Sequence, residues 1–213
     1  MTFLERTRAF PFPVDWGNHS LLAMVDRYVG YEILANTHIL SSDLRLKSSG
    51  DPLVMPITIV LWGLVALAFV LVSRKSGREP ASYEATVEFA MIFVIILLVS
   101  PTLSWTTYFV FMLLGHAVLW RAATSPVRSG SGHDIEGGGG TEALLEAGER
   151  RTIRVLLAVS FLLGTIASAS VVGSAMARRL QWLSILTASA LVALGALCYL
   201  RWLMGRRATE AGS

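Results

Sequence analysis

The chain has 213 residues, of which 54% are hydrophobic and 15% charged, with a single cysteine and a formal net charge of +3. Its mean hydropathy is +0.58. Soluble domains carry about 25% charged residues. These figures exclude an ordinary soluble globular domain, a disordered chain and a disulfide-built secreted module.

Residues 1–52 open with the extended segment Phe10-Pro11-Phe12-Pro13, followed by Trp16-Gly17-Asn18-His19-Ser20. Leu21, Leu22, Val25, Tyr28 and Val29 then repeat at helical spacing. Asn18 or Ser20 caps the start of this helix and Gly30 closes its end. The expected element is a short amphipathic helix on the outer membrane surface, with Ser20 and Arg27, seven apart, on one face. Met1 to Trp16 contains no signal-peptide hydrophobic core.

Residues 53–122 read as a three-span block. Leu53 to Ser73 carries no charge. The long apolar run from Tyr83 to Trp120 is divided by Pro101, which lacks an N–H and disfavours helix in the residue before it. Tyr83 to Val99 and Trp105 to Trp120 are therefore expected as two helices meeting at a tight Ser-Pro turn. Residues 123–153 are expected to form a flexible cytoplasmic linker. It contains Gly137–Gly140 but no phosphate-loop pattern, and Thr141 to Arg151 is read as a short surface helix. Residues 154–204 form a two-span hairpin, Arg154 to Met176 and Trp182 to Met204, and residues 205–213 a tail. The small residues Gly164, Ser168, Gly173 and Ala177 are expected to line a packing face of the fourth span.

The fold class expected is thus an all-α integral membrane protein of about five transmembrane helices, preceded by an outer-face helical segment. With residues 1–52 outside, eleven of the 18 Lys and Arg residues fall inside, including Arg74, Arg121, Arg150, Arg151, Arg154, Arg201, Arg206 and Arg207. Seven fall outside. This bias sets the C-terminus in the cytoplasm.

Chemistry-bearing residues are sparse. His19, His38, His116 and His133 share no metal-ligand spacing, and no metal or other cofactor is expected. Cys198 reads as a small interior residue. His116 is taken as the one ionisable group deep in a span, hydrogen-bonded within the interior. Two segments remain, both outside in this topology: Gly17-Asn18-His19-Ser20-Leu21 with Arg27, and Ser100-Pro101-Thr102-Leu103-Ser104-Trp105 with Tyr108.

This pair of motifs, in this order, resembles the C-terminal half of family 87 glycosyltransferases, polyprenyl-phosphate-sugar-dependent membrane enzymes of the GT-C class. That family typically has Gly-Asn-Gln-Ser-Leu followed by Arg. Gly17, Asn18, Ser20, Leu21 and Arg27 match, with His19 in place of Gln. It also has Ser-Pro-x-Ser-Trp. Ser100, Pro101, Ser104 and Trp105 match with one additional residue, and Thr106 and Thr107 stand where histidines are usual. The motifs span residues 15–120.

The resemblance implies transfer of a sugar, mannose in most members, from a polyprenyl-phosphate donor to a glycolipid or glycan acceptor of the bacterial envelope. The implied setting is the plasma membrane, with membrane lipids and no nucleic acid as partners. Arg27 would hold the donor phosphate, since a guanidinium binds two oxygens at once. Asn18, His19 and Ser20 would bind phosphate or sugar hydroxyls, and Trp105 and Tyr108 would stack on sugar or prenyl chain. Asp15, Asp26, Glu84 and Glu88 do not take the position of the family's catalytic carboxylate, so the catalytic residue is unknown. The expectation is a C-terminal portion of such an enzyme, a missing N-terminal half supplying the base, with no transferase activity from residues 1–213 alone. A non-catalytic membrane subunit or scaffold is the alternative, and a transporter a more distant third.

Overall fold

The computed structural model describes residues 20–29, 52–74, 82–100, 105–125, 145–166, 169–173, 176, 180 and 184–211. All regular structure among them is helical: α1 (Leu21–Val29), α2 (Val54–Ser73), α3 (Tyr83–Val99), α4 (Trp105–Thr124), α5 (Ala147–Ile166), α6 (Ala169–Val172) and α7 (Ile185–Ala211).

Local chemistry explains several boundaries. Ser20 caps α1, its hydroxyl accepting from the Ala23 N–H at 3.3 Å. Ser82 does the same for α3, accepting from the Ala85 N–H at 3.2 Å. The end of α3 follows the proline rule. Ser100, directly before Pro101, is extended (φ −75°, ψ 118°), and its N–H closes the last turn on Ile96 O at 2.9 Å.

Helix α7 is the axis of the packing. It lies against α5, α3, α4 and α2, while α3 packs on α4 and α4 on α5. Its inward face is built from small and branched residues, with Leu186, Ala190, Ala193, Ala196, Leu197 and Leu200 in the common core. Gly115 of α4 lets three helices close up. A Cβ there would lie 3.4 Å from Val94 of α3 and 3.6 Å from Leu197 of α7. Phe93 and Phe111 meet across the α3–α4 seam at 5.1 Å between ring centroids.

Helix α2 is built differently. It is apolar all round, and it lays one stripe (Leu61, Trp62, Val65, Phe69 and Val72) on the core. The opposite surface, including Ile59, Val60, Leu64, Leu67, Val70 and Leu71, is exposed. A helix without a polar face is unsuited to water on its free side. Among the described residues, two helices, Val54–Ser73 and Ile185–Arg207, are long and apolar enough to cross a membrane.

The structure corrects four of the expected elements. The fourth helix starts at Ala147 rather than Arg154, so the short surface helix expected over Thr141 to Arg151 is partly its first turns. Its described helix runs to Ile166, residues 167 and 168 lie outside the described residues, and helix is described again over Ala169–Val172, up to Gly173, where the expected 23-residue span to Met176 is interrupted. Gly173 takes the left-handed conformation (φ 80°), and the small-residue stripe is broken. Gly164 keeps the expected packing role: a Cβ there would lie 3.4 Å from Ser189 Oγ. Ser168 and Ala177 lie outside the described residues. Third, α7 runs from Ile185 to Ala211, taking in most of the expected tail. Finally, α4 continues one turn beyond Trp120.

Candidate functional site

The first predicted site falls on α1. Ser20 and Arg27 do share a buried face, each about 98% shielded from solvent (relative exposure 1% and 2%). Arg27 Nε donates to Ala23 O at 3.1 Å, one turn back. Asp26, beside it, is also buried, which gives it protein neighbours rather than solvent. The apolar face is not quite the one expected: Leu21, Ala23 and Val25 are buried, whereas Tyr28 is exposed. Helix α1 packs against α2 and α3. Asn18 and His19 lie outside the described residues.

The second predicted site begins where α3 stops. Ser100 is the C-terminal cap of α3. Trp105 opens α4 and Tyr108 lies in its first turn. Pro101 and Ser104 lie outside the described residues. Helix α1, which carries Ser20 and Arg27, packs mainly on α2 and also touches α3, the helix that ends at Ser100.

A second polar region was legible only in part. Glu84 and Glu88 of α3 converge on Arg201 of α7, which is fully buried. Arg201 Nε donates to Glu88 Oε1 at 2.8 Å, and Arg201 Nη2 lies 3.2 Å from Glu84 Oε2. This corrects the expectation that His116 alone is an ionisable group inside a span. The signal was present, since an arginine within an apolar helix needs a partner, but the nearer of the two partners, Glu88, lies 113 residues away in sequence.

Around this pair, one end of the bundle is laced by arginines. Arg150 of α5 donates to the carbonyls of Leu145 (2.7 and 2.9 Å) and Ser125 (2.5 Å), and Arg154 donates to Ala123 O at 3.0 Å. These cations satisfy the open carbonyls at the C-terminus of α4, where the helix dipole is negative. Glu149 accepts from the Glu146 N–H at 2.9 Å, so it caps α5, and it pairs with both Arg206 and Arg207 of α7. Tyr83 donates to Val118 O at 2.9 Å, while the Arg121 guanidinium sits 5.2 Å from the centre of its ring.

A third polar group lies further along the helices. The Ser160 hydroxyl donates to Ser189 O at 2.9 Å, and the Ser189 hydroxyl donates to Ser160 O at 2.7 Å. His116 Nε2 lies 2.9 Å from Ser160 Oγ. With the Ser160 proton directed at a carbonyl, His116 acts as the donor of that contact. A serine nucleophile needs the reverse, its proton pointing at the imidazole. The trio is a clasp between α4, α5 and α7, as expected for an interior histidine. Among the described residues, no three His, Cys, Asp or Glu side chains gather as a metal site would require.

No protein-family model, curated protein or solved structure matches this chain.

Proposed function

We propose that this chain is a bacterial plasma-membrane protein of five spans that binds the phosphate of a polyprenyl-phosphate-sugar donor at its outer end. In this reading it is the C-terminal portion of a glycosyltransferase of the family 87 kind. The enzyme would move mannose to an envelope glycolipid or glycan. The observation that carries the proposal is the burial of Arg27 in α1, a helix that packs against α2 and α3. A guanidinium shielded from water interacts strongly with the charge that accumulates on a departing phosphate. Ser20 and Arg27 would face the donor phosphate, with Asn18 and His19 beside them and Ser100, Pro101, Ser104, Trp105 and Tyr108 on the sugar and prenyl side. No carboxylate takes the family's base position, so transfer itself is proposed to need a partner or further segment.

The test is equilibrium binding of a polyprenyl phosphate by the chain in lipid nanodiscs. Binding that weakens about tenfold or more in Arg27→Ala, with an unchanged thermal midpoint, supports the reading; this is the loss of a charge-assisted contact worth about 1.5–3 kcal/mol. Equal binding by both proteins contradicts it.

The reading as a small non-catalytic membrane subunit is favoured by one observation, the exposed apolar side of α2. Co-purification of a membrane partner that is lost on Leu64→Ser, with polyprenyl-phosphate binding absent, would select that reading.

A further inference from the structure

At the end of the bundle that holds Arg201, three described carboxylates are paired: Glu84 and Glu88 with Arg201, and Glu149 with Arg206 and Arg207. Arg121, Arg151, Arg154 and Arg206 are all exposed, from α4, α5 and α7, as is Glu146. Among the described residues at this end arginines outnumber carboxylates, so the surface they form is cationic. Two indole rings reach out at this end. Trp120, directly before Arg121, is 65% exposed, and Trp202, one turn before Arg206, is 49% exposed. The Arg206 guanidinium sits 5.3 Å from the centre of the Trp202 ring, which in turn stacks on Tyr199. Tryptophan favours the boundary between hydrocarbon and headgroups, and arginines just beyond it meet the phosphates.

We infer that this end is a binding surface for the headgroups of anionic phospholipids, with Trp120 and Trp202 setting its depth and Arg121, Arg151, Arg154 and Arg206 contacting phosphate. The occupant is the leaflet itself. Long-range matching favours it, because the cations come from three helices around one rim rather than converging on one pocket. Their exposed, Trp-flanked placement also suits many lipids in exchange better than one buried ligand. The inference rests on the reading that the chain is membrane-embedded, but not on any sugar-transfer role.

The experiment compares the thermal midpoint of the full chain in nanodiscs of phosphatidylcholine alone and of phosphatidylcholine with phosphatidylglycerol. The expected result is a midpoint higher by about 3 °C or more with the anionic lipid. High ionic strength should shrink that gap, as should Arg121→Gln combined with Arg151→Gln. Arg151→Gln alone, at an exposed helix position, should give a smaller loss and guards against a folding defect in the double variant. Equal midpoints in the two lipids overturn the inference. So does a gap that neither salt nor these substitutions reduce. A chain that enters neither disc overturns the membrane reading beneath it, an outcome distinct from a lipid-indifferent chain that does enter.

Discussion

Ser160 and Ser189 exchange hydrogen bonds, each hydroxyl donating to the other's backbone carbonyl at 2.9 and 2.7 Å. Both residues are fully buried, and the exchange ties α5 to α7. His116 of α4 adds a third strand to the tie. Hydrogen bonds between membrane helices average about 0.6 kcal/mol, with a ceiling near 1.7. Ser160→Ala and Ser189→Ala are therefore expected to destabilise by about 1 kcal/mol each. Their double variant should lose about the sum, because each hydroxyl donates to a backbone carbonyl that alanine retains. A double-mutant cycle on detergent-solubilised protein measures this; a double variant that loses much less than the sum would show that the two bonds depend on each other.

Arg201 is the more expensive residue to disturb. It is fully enclosed, and its two carboxylate partners are themselves only slightly exposed. Arg201→Met leaves Glu84 and Glu88 facing each other without a cation. Breaking a buried pair in this way costs about 3–5 kcal/mol. Adding Glu84→Gln and Glu88→Gln to that background should restore much of the loss. Thermal unfolding of the wild type, Arg201→Met and the triple variant is the check, and no recovery in the triple variant would mean that Arg201 acts through packing rather than charge.

Gly115 of α4 sits between Val94 of α3 and Leu197 of α7. Its missing Cβ would be in ordinary contact with Val94 and Leu197, so Gly115→Ala should be tolerated. Alanine also gains about 1 kcal/mol of helix propensity over glycine. Gly115→Ile would overfill the seam and should cost about 1–3 kcal/mol. Stability of the two variants in the same detergent distinguishes these outcomes.

Helix α2 offers a direct test of membrane residence. Leu64 and Val60 face outward in the middle of its apolar surface. Leu64→Arg puts a charge where a spanning helix meets hydrocarbon, at a cost of about 2.5–3.5 kcal/mol on insertion scales. Membrane-integrated protein should fall sharply in an insertion assay. A helix that faces water would accept the same change within about 0.5 kcal/mol.

The sequence made the local features readable and left the distant ones hidden. Pro101 marked the end of α3 because proline acts on its immediate neighbour, and Ser20 marked the start of α1 by its short capping side chain. The start of α5 was harder. Thr141 to Arg151 read as a separate short helix ahead of a span beginning at Arg154, and only Arg206, Arg207 and the carbonyls of Ala123 and Ser125 show why Glu149 to Arg154 form the first turns of one helix. Likewise, nothing local to Arg201 names Glu84 and Glu88 as its partners. Of the candidate site, the shared face of Ser20 and Arg27 followed from their seven-residue spacing. Asp26 had no such signal, since its burial depends on how α1 docks.

The central claim is that α1 holds the phosphate of a polyprenyl lipid. Its most direct test is photo-crosslinking with a polyprenyl phosphate that carries the reactive group beside the phosphate, followed by peptide mapping. The account predicts labelling of the segment from Asn18 to Val29, competed by unlabelled polyprenyl phosphate and lost in Arg27→Ala. Labelling confined to the Arg121 and Arg206 end, or labelling unaffected by competitor and by Arg27→Ala, would contradict it.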